Sequence, residues 1–293
     1  MHYKEVKSVL SPQNGLNIYR GCTHGCLYCD ARSTCHRLDH DFEDVEVKAR
    51  AVDMLEYTLK KKRTRSMIHV GALSEAYVPV EGELQLLRRS LLQIERFDFG
   101  LVLHTNSKLV LRDIDILDKI NRKTKCIVMM RLFAVDDGLC KRLEPGNTTT
   151  SERVEILREL QKRNICTIVS LTPVLPYIND DLPNIKGILE LCSQCGVYAV
   201  LTDKLSPVMR EGNRERFFDL MGKEFPDIYE KYEQEFLEEK TLKSPSLKEI
   251  QALIRDFCEA HHMQYDKEEI LRFTREYKNQ TIGTQMSLLD FIS

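Results

Sequence analysis

The 293-residue sequence has no tryptophan and only 13 glycines and 9 prolines, which excludes collagen-like and Pro/Gly-rich disordered chains. Long hydrophobic runs are missing too. The longest apolar stretches, such as Cys126 to Met130, fall far short of the ~20 residues that span a bilayer, and the opening MHYKEVKSVL lacks the apolar block of a signal peptide. A soluble, cytoplasmic protein is expected. Nor does one sign of charge dominate: 43 basic and 45 acidic residues give a formal net charge of −2. No global cationic field therefore draws in nucleic acid, and any such contact needs a local patch.

What is present is a globular composition, 42% hydrophobic and 30% charged, long enough for one large α/β core with an appendage or for two modest domains. The unusual component is ten cysteines. A reducing compartment argues against a disulfide framework, which leaves metal ligation, redox chemistry or buried thiols.

From Leu16 to Thr202 short β-rich runs alternate with amphipathic stretches, the pattern of a parallel sheet with crossover helices. Strands are predicted at Leu16–Arg20, Met67–Leu73, Gly100–Thr105, Cys126–Leu132, Cys166–Leu171 and Val197–Leu201. Between them, Ala49–Lys61 and Glu152–Lys162 place apolar residues at helical spacing. After Thr202 the chain turns polar, then helical and charge-rich from Arg214 to Lys278, with Pro226 and Pro245 as breakers. The division expected is an α/β core over residues 1–203, a helical C-terminal subdomain over 204–278, and a tail over 279–293.

Cys22, Cys26 and Cys29, in RGCTHGCLYCDARS, follow the first strand with C-x3-C-x2-C spacing. Three thiolates on one tight loop can each hold one iron of a [4Fe–4S] cube and leave the fourth iron open to a chelating ligand. Gly21 and Gly25 let the backbone bend around such a group. Two other readings stand beside this one: a compact zinc loop completed by Cys35, and unligated thiols. Cys35 is either a support of the loop, a redox-active thiol or a packed side chain. Cys192 and Cys195 form a lone C-x2-C in a helical stretch and read as buried thiols, as do Cys126, Cys140, Cys166 and Cys258. The basic run Lys60–Arg63 ends a helix, where cations suit the macrodipole. Arg210–Arg216 carries three arginines directly after the last strand, placed to meet a polyanion over the sheet.

The cysteine spacing, with Tyr28 just before the last cysteine and the βα alternation that follows, resembles the radical S-adenosylmethionine superfamily. Segments such as VGALSEAYVPVEGEL, KLVLRDIDIL, RLEPGNTTTSERVEIL and MREGNRERFFDLMGKEFPDIYEKY are similar to its spore photoproduct lyase-like branch, also labelled DNA repair photolyase-like, over about residues 15–260. The resemblance implies a partial (β/α)6 TIM-type barrel carrying the cluster loop at its C-terminal mouth. It also implies a [4Fe–4S] cluster on Cys22, Cys26 and Cys29. That cluster cleaves S-adenosylmethionine to a 5′-deoxyadenosyl radical, which abstracts hydrogen from substrate. An external electron donor of the flavodoxin or ferredoxin type is implied as partner.

By the same resemblance Tyr28 lies beside the adenine, Ser74 and Glu75 contact the methionine amino group or line the substrate side, and Arg131 reaches the ribose and carboxylate or neutralises Glu144. Glu144 and Arg153 match family positions without an assigned role. Two departures are visible: Asn106 stands where a lysine is common, and Ala72 stands where spore photoproduct lyases carry a hydrogen-donating cysteine. The substrate expected is nucleic-acid related, but not the spore photoproduct itself. The alternatives are a peptide or small metabolite with the same chemistry, or a zinc-loop interaction protein. The tail segment Gln285–Phe291 resembles peptides that dock on the bacterial sliding clamp, with leucine and aromatic anchors for an apolar pocket.

Overall fold

The computed structural model describes residues 1–203 and 205–280. The strands are β1 (His2–Lys4), β2 (Gly15–Leu16), β3 (Tyr19–Arg20), β4 (Glu46–Lys48), β5 (Met67–Val70), β6 (Gly100–His104), β7 (Cys126–Leu132), β8 (Cys166–Leu171) and β9 (Ala199–Leu201). Six of them form one sheet in the order β2-β5-β6-β7-β8-β9, with every pairing parallel. Helices α1 (Ala51–Lys61), α2 (Glu81–Leu84), α3 (Leu86–Arg96), α4 (Ile114–Lys123), α5 (Asp137–Leu143), α6 (Thr150–Lys162) and α7 (Leu182–Gln194) lie between the strands. This is the expected α/β partial barrel.

The predicted first strand, Leu16–Arg20, is divided. Gly15 and Leu16 pair with β5, whereas Tyr19 and Arg20 run antiparallel to β4 in a second sheet of order β1-β4-β3. The switch falls at Ile18, whose carbonyl accepts from Lys48 N at 3.0 Å. It carries the chain out of the barrel toward the cysteine loop.

Alternation along the strands sorts the two faces. Ile68, Val70, Leu101, Leu103, Val128, Met130, Val169 and Leu171 point outward into the large core shared with α1, α3, α4, α6 and α7. Met67, Val102, Ile127, Met129, Ile168 and Ala199 point inward and form a separate apolar cluster.

The C-terminal helices, α8 (Arg214–Glu224), α9 (Pro226–Phe236), α10 (Leu247–Ala260) and α11 (Lys267–Arg275), attach at three places. Phe217, Phe218 and Met221 of α8 and Tyr232 and Phe236 of α9 pack with Leu27 and Tyr28 of the cysteine loop. Ile250, Ile254 and Cys258 of α10 join the outer core. Ile270 of α11, with Phe273 and Tyr277, joins the inward cluster and stops the barrel at the amino ends of its strands. There the Lys125 ammonium donates to Phe273 O at 2.5 Å and to Glu276 O at 3.2 Å. No helix of the described residues is long and apolar enough to cross a membrane.

Because Ile270 is fully buried, Ile270→Ala is expected to lower unfolding free energy by about 2–5 kcal/mol, measured by urea denaturation. A loss below about 1 kcal/mol would contradict a packed floor.

Candidate active site

The cysteine loop is hung from its own backbone. Cys22 N donates to Phe42 O at 2.9 Å, Leu27 N to Leu143 O at 3.0 Å and Gly146 N to His24 O at 2.9 Å. Gly21 has φ +86°, and a Cβ there would lie 2.4 Å from Phe42 O, so only glycine fits the turn that leads into Cys22. His24 sits over the first thiol, with Nδ1 3.0 Å from Cys22 Sγ.

Cys22 is buried, and Cys26 and Cys29 are partly buried. As free thiols all three are held protonated by burial: Cys22 is pushed up to about 12, Cys26 well above its ordinary value, and Cys29 upward despite Arg32 beside it. Three guanidiniums act in the opposite sense. Arg32 favours the thiolates of Cys22 and Cys29, and Arg131 those of Cys26 and Cys29. Arg216 of α8 feels the charge of Cys29 and Cys26, although burial and Arg32 lower its own pKa. Its Nη1 is buried without a hydrogen-bond partner. A loop of thiols that resist deprotonation, ringed by cations of which Arg32 and Arg216 each keep a buried nitrogen without a hydrogen-bond partner, is a site prepared for an anionic group.

Spacing bears on which group. Among the described residues, the sets that bring three ligand atoms within 4.8 Å of one another lie on His2, Asp39, His40, Asp44 and Glu46, not on the cysteines. A single tetrahedral zinc with 2.3 Å bonds needs sulfurs about 3.8 Å apart, whereas the irons of a cube hold their thiolates farther apart. The residues present fit a [4Fe–4S] cluster better than one zinc ion.

Tyr28 turns its ring into the protein, where its hydroxyl donates to Glu144. Glu144 and Arg153 are both fully buried and directly paired. Arg131 Nη1 donates to Tyr28 Oη at 3.3 Å and stands 3.7 Å from Glu144, and Arg153 also donates to Arg131 O at 3.0 Å. Burial pushes the Glu144 carboxyl up, but Arg153 and then Arg131 outweigh it and hold the carboxyl below its ordinary value. In this structure the Tyr28 side chain ties the loop to Glu144, and Arg131 lies within ion-pair distance of the same carboxylate.

Ser74 Oγ donates to Tyr19 O at 3.1 Å, tying the loop after β5 to the strand before the cysteines. Glu75 accepts from Thr105 Oγ1 at 2.5 Å, Tyr77 N at 3.0 Å and Asn106 N at 3.0 Å, and its charge reaches Cys22. Asn106 Oδ1 accepts from Arg131 N at 2.8 Å, so the residue in the lysine position stitches β6 to β7. Gly71, at φ +77°, would place a Cβ 2.3 Å from His104 O. That close approach brings Ser74 and Glu75 over the mouth.

Cys35 is exposed, not packed; Cys126, Cys140, Cys192, Cys195 and Cys258 are buried and Cys166 partly so. In Arg210–Arg216, Arg210 pairs with Asp30 of the cysteine loop at 2.6 Å, Arg214 donates to the carbonyls of Leu237 and Glu239, and only Arg216 faces the thiols. Sequence reasoning missed His69, His104 and Ser170. They continue the inward alternation of Met67, Val102 and Ile168 and, with Arg131, are the partly buried positions near the carboxyl ends of their strands. Period-two alternation marks them once the inward face is known.

Because the Glu144 carboxyl is held below its unfolded value, its contribution to stability is complete above the ordinary carboxylate range and is lost as pH falls through the lowered value. Glu144→Gln should therefore flatten the acid limb of the stability–pH curve. At neutral pH it should cost about 3–5 kcal/mol by leaving Arg153 buried without its counter-charge. Denaturant unfolding from pH 3 to 8 measures both, and an unchanged acid limb would contradict the pairing.

Comparison with known proteins places this geometry. A family model described as the Radical SAM superfamily matches residues 16–186. An uncharacterized protein of Methanocaldococcus jannaschii is 29% identical over 167 residues, covering 56% of this chain and 61% of its own length. A Radical SAM Nalpha-GlyT isomerase of Pseudomonas phage M6 is 23% identical over 253 residues, covering 83% of this chain and 51% of its own. The chain thus spans about half to three fifths of the length of these curated relatives. A solved spore photoproduct lyase complexed with dinucleoside spore photoproduct superposes with a TM-score of 0.60 at 12% identity, over 88% of this chain and 77% of that one, which shows a common fold. Since the family match takes in the cysteine loop and most of the barrel, the chain belongs to the radical SAM superfamily, whose cofactors are a [4Fe–4S] cluster and S-adenosylmethionine.

Proposed function

We propose that Cys22, Cys26 and Cys29 hold the cluster and that the barrel mouth presents an anionic, nucleic-acid-related substrate for hydrogen abstraction. The observation that carries this reading is the buried, unpartnered Nη1 of Arg216, held within electrostatic reach of Cys26 and Cys29. When bound, the cluster and S-adenosylmethionine supply reductive radical chemistry. The chain's own residues bind, orient and exclude water.

Glu75, fixed by three hydrogen bonds, presents a pre-oriented carboxylate for the methionine amino group, and Ser74 holds its loop in place. Arg32, Arg131 and Arg216 offset the negative charge of the thiolates and of a bound carboxylate. His69, His104, Arg131 and Ser170 line the inner wall below, where a substrate meets polar side chains above an apolar floor. Beside Gly25 and Leu27 opens a cavity of about 320 Å³ lined by Lys141, Arg142 and Arg216 against the single carboxylate of Glu224. Its excess of cations suits a phosphate-bearing substrate despite the near-neutral chain.

The external electron donor belongs to this proposal as a partner. So does sliding-clamp docking through Gln285–Phe291, which lies outside the described residues. A peptide or small metabolite remains the competing substrate, favoured by the net charge of −2.

Anaerobic reconstitution, dithionite reduction and detection of 5′-deoxyadenosine test the chemistry; the Cys22/Cys26/Cys29→Ala variant should give none, and equal product from both proteins would end the assignment. For the substrate class, DNA oligonucleotides should stimulate product formation, and Lys141→Ala with Arg142→Ala should weaken that stimulation about tenfold or more, with a steeper loss in wild type as salt rises. Stimulation by peptides alone would favour the competitor.

A further inference from the structure

The small sheet carries a second constellation of ligand groups, apart from the cysteine loop. His2, His40 and Asp44 bring three ligand atoms within 4.8 Å of one another, and Asp39, His40 and Glu46 do the same. The two sets share His40. Strand β1 supplies His2, strand β4 supplies Glu46, and their parallel register sets these two residues directly opposite each other.

Hydrogen bonding decides which atom of His40 is available. Its Nδ1 lies 2.9 Å from Asp41 O, and a carbonyl can only accept, so Nδ1 carries a proton, and in the neutral ring Nε2 keeps its lone pair. That Nε2 is buried without a hydrogen-bond partner. It stands 3.6 Å from Glu46 Oε2, on a side chain that is 99% buried, at 1% exposure. With the ring neutral, a lone pair and a carboxylate oxygen face each other with no proton between them, an arrangement that a cation at the imidazole nitrogen would stabilise. The Lys4 ammonium, 3.1 Å from Glu46 Oε2, is the nearest charge, and it is shared with Asp39 at 3.0 Å.

The imidazole with its distal nitrogen tied to a backbone carbonyl is the arrangement that orients metal-binding histidines. The ring of His2 meets that of His40 edge-on, with centroids 4.6 Å apart, and Asp44 Oδ2 lies 2.8 Å from His2 Nδ1. Tetrahedral zinc with nitrogen and oxygen ligands at 2.0–2.1 Å separates its ligand atoms by about 3.3 Å, inside the 4.8 Å that bounds the ligand atoms of His2, His40 and Asp44. Two imidazoles with carboxylates favour zinc over the all-oxygen sites of magnesium and calcium.

We propose that His2, His40 and Asp44 bind one divalent ion of the zinc type, with the buried Glu46 carboxylate beside His40 adding its negative charge. Lys4 keeps Glu46 and Asp39 as its partners. The ion braces the turn at 39–46, which bears on the first cluster cysteine: Phe42 O in this turn accepts from Cys22 N, and the Phe42 ring lies 4.2 Å under the Arg32 guanidinium. The inference stands independently of the substrate proposed above.

Cluster-loaded protein, incubated with Zn(II) and freed of excess by gel filtration, should retain about one zinc beyond its iron. The zinc X-ray absorption spectrum should show nitrogen and oxygen scatterers only. His40→Ala should lower zinc affinity about tenfold or more with iron and sulfide unchanged. His2→Gln and Asp44→Asn, at more exposed positions, should do the same and cover the case of a His40 variant that fails to fold. Zinc lost on filtration, sulfur in its coordination shell, or full zinc retention by these variants would each overturn the site.

Discussion

The buried pairing of Glu144 with Arg153 is the constraint on which the active face depends. Neither side chain has any exposure, so each would be intolerable alone, and together they join pieces of chain far apart in sequence. Through Tyr28 the pair holds the cysteine loop. Through the carbonyl of Arg131 it holds the end of β7, and through Thr148, which donates to Asn106 O, the end of β6. A carboxylate with three partners therefore does for the mouth of the barrel what the apolar floor does for its base.

A second ionic knot stands behind it. Glu81 accepts from Tyr19 Oη at 2.5 Å and from Arg112 at 2.6 Å, and Asp113 accepts from Tyr77 Oη at 3.0 Å and from Arg88 at 2.6 Å. Glu81 and Asp113 are fully buried. These residues lie in the segments SEAYVPVEGEL and KLVLRDIDIL, so much of what makes those segments distinctive is scaffolding. It fixes the path from which Ser74 and Glu75 project. Buried charge of this kind adds little net stability but selects one arrangement among many, because every alternative strands an ion.

The sequence made the barrel strands readable because they are buried on both faces and appear as continuous apolar runs; β7 and β8 run as predicted. The first strand was less readable, since Tyr19 and Arg20 keep a strand-like pattern while changing sheets at Ile18. The thiol loop declared itself by spacing, and Ser74, Glu75 and Arg131 by resemblance. His69, His104 and Ser170 were hidden, because choosing the inward face requires knowing how the strands are registered. Arg216 looked like its neighbours Arg210 and Arg214, and only packing of α8 against the loop separates one aimed at the thiols from two spent on Asp30 and on backbone carbonyls. The histidine–carboxylate group near β1 was only half visible: His40 and Asp44 lie close together in the sequence, but His2 joins them through the parallel pairing of β1 with β4.

The floor formed by α11 also sets an order of manufacture. Lys267–Arg275 leaves the ribosome after every strand it covers, so the inward apolar residues of the nascent barrel have no lid until that helix emerges. Strands, helices and even the thiol loop can be assembled beforehand with their lower end still bare. Final closure of the barrel is thus a late event in synthesis, and a cluster inserted before it would be entering a vessel not yet sealed at the bottom.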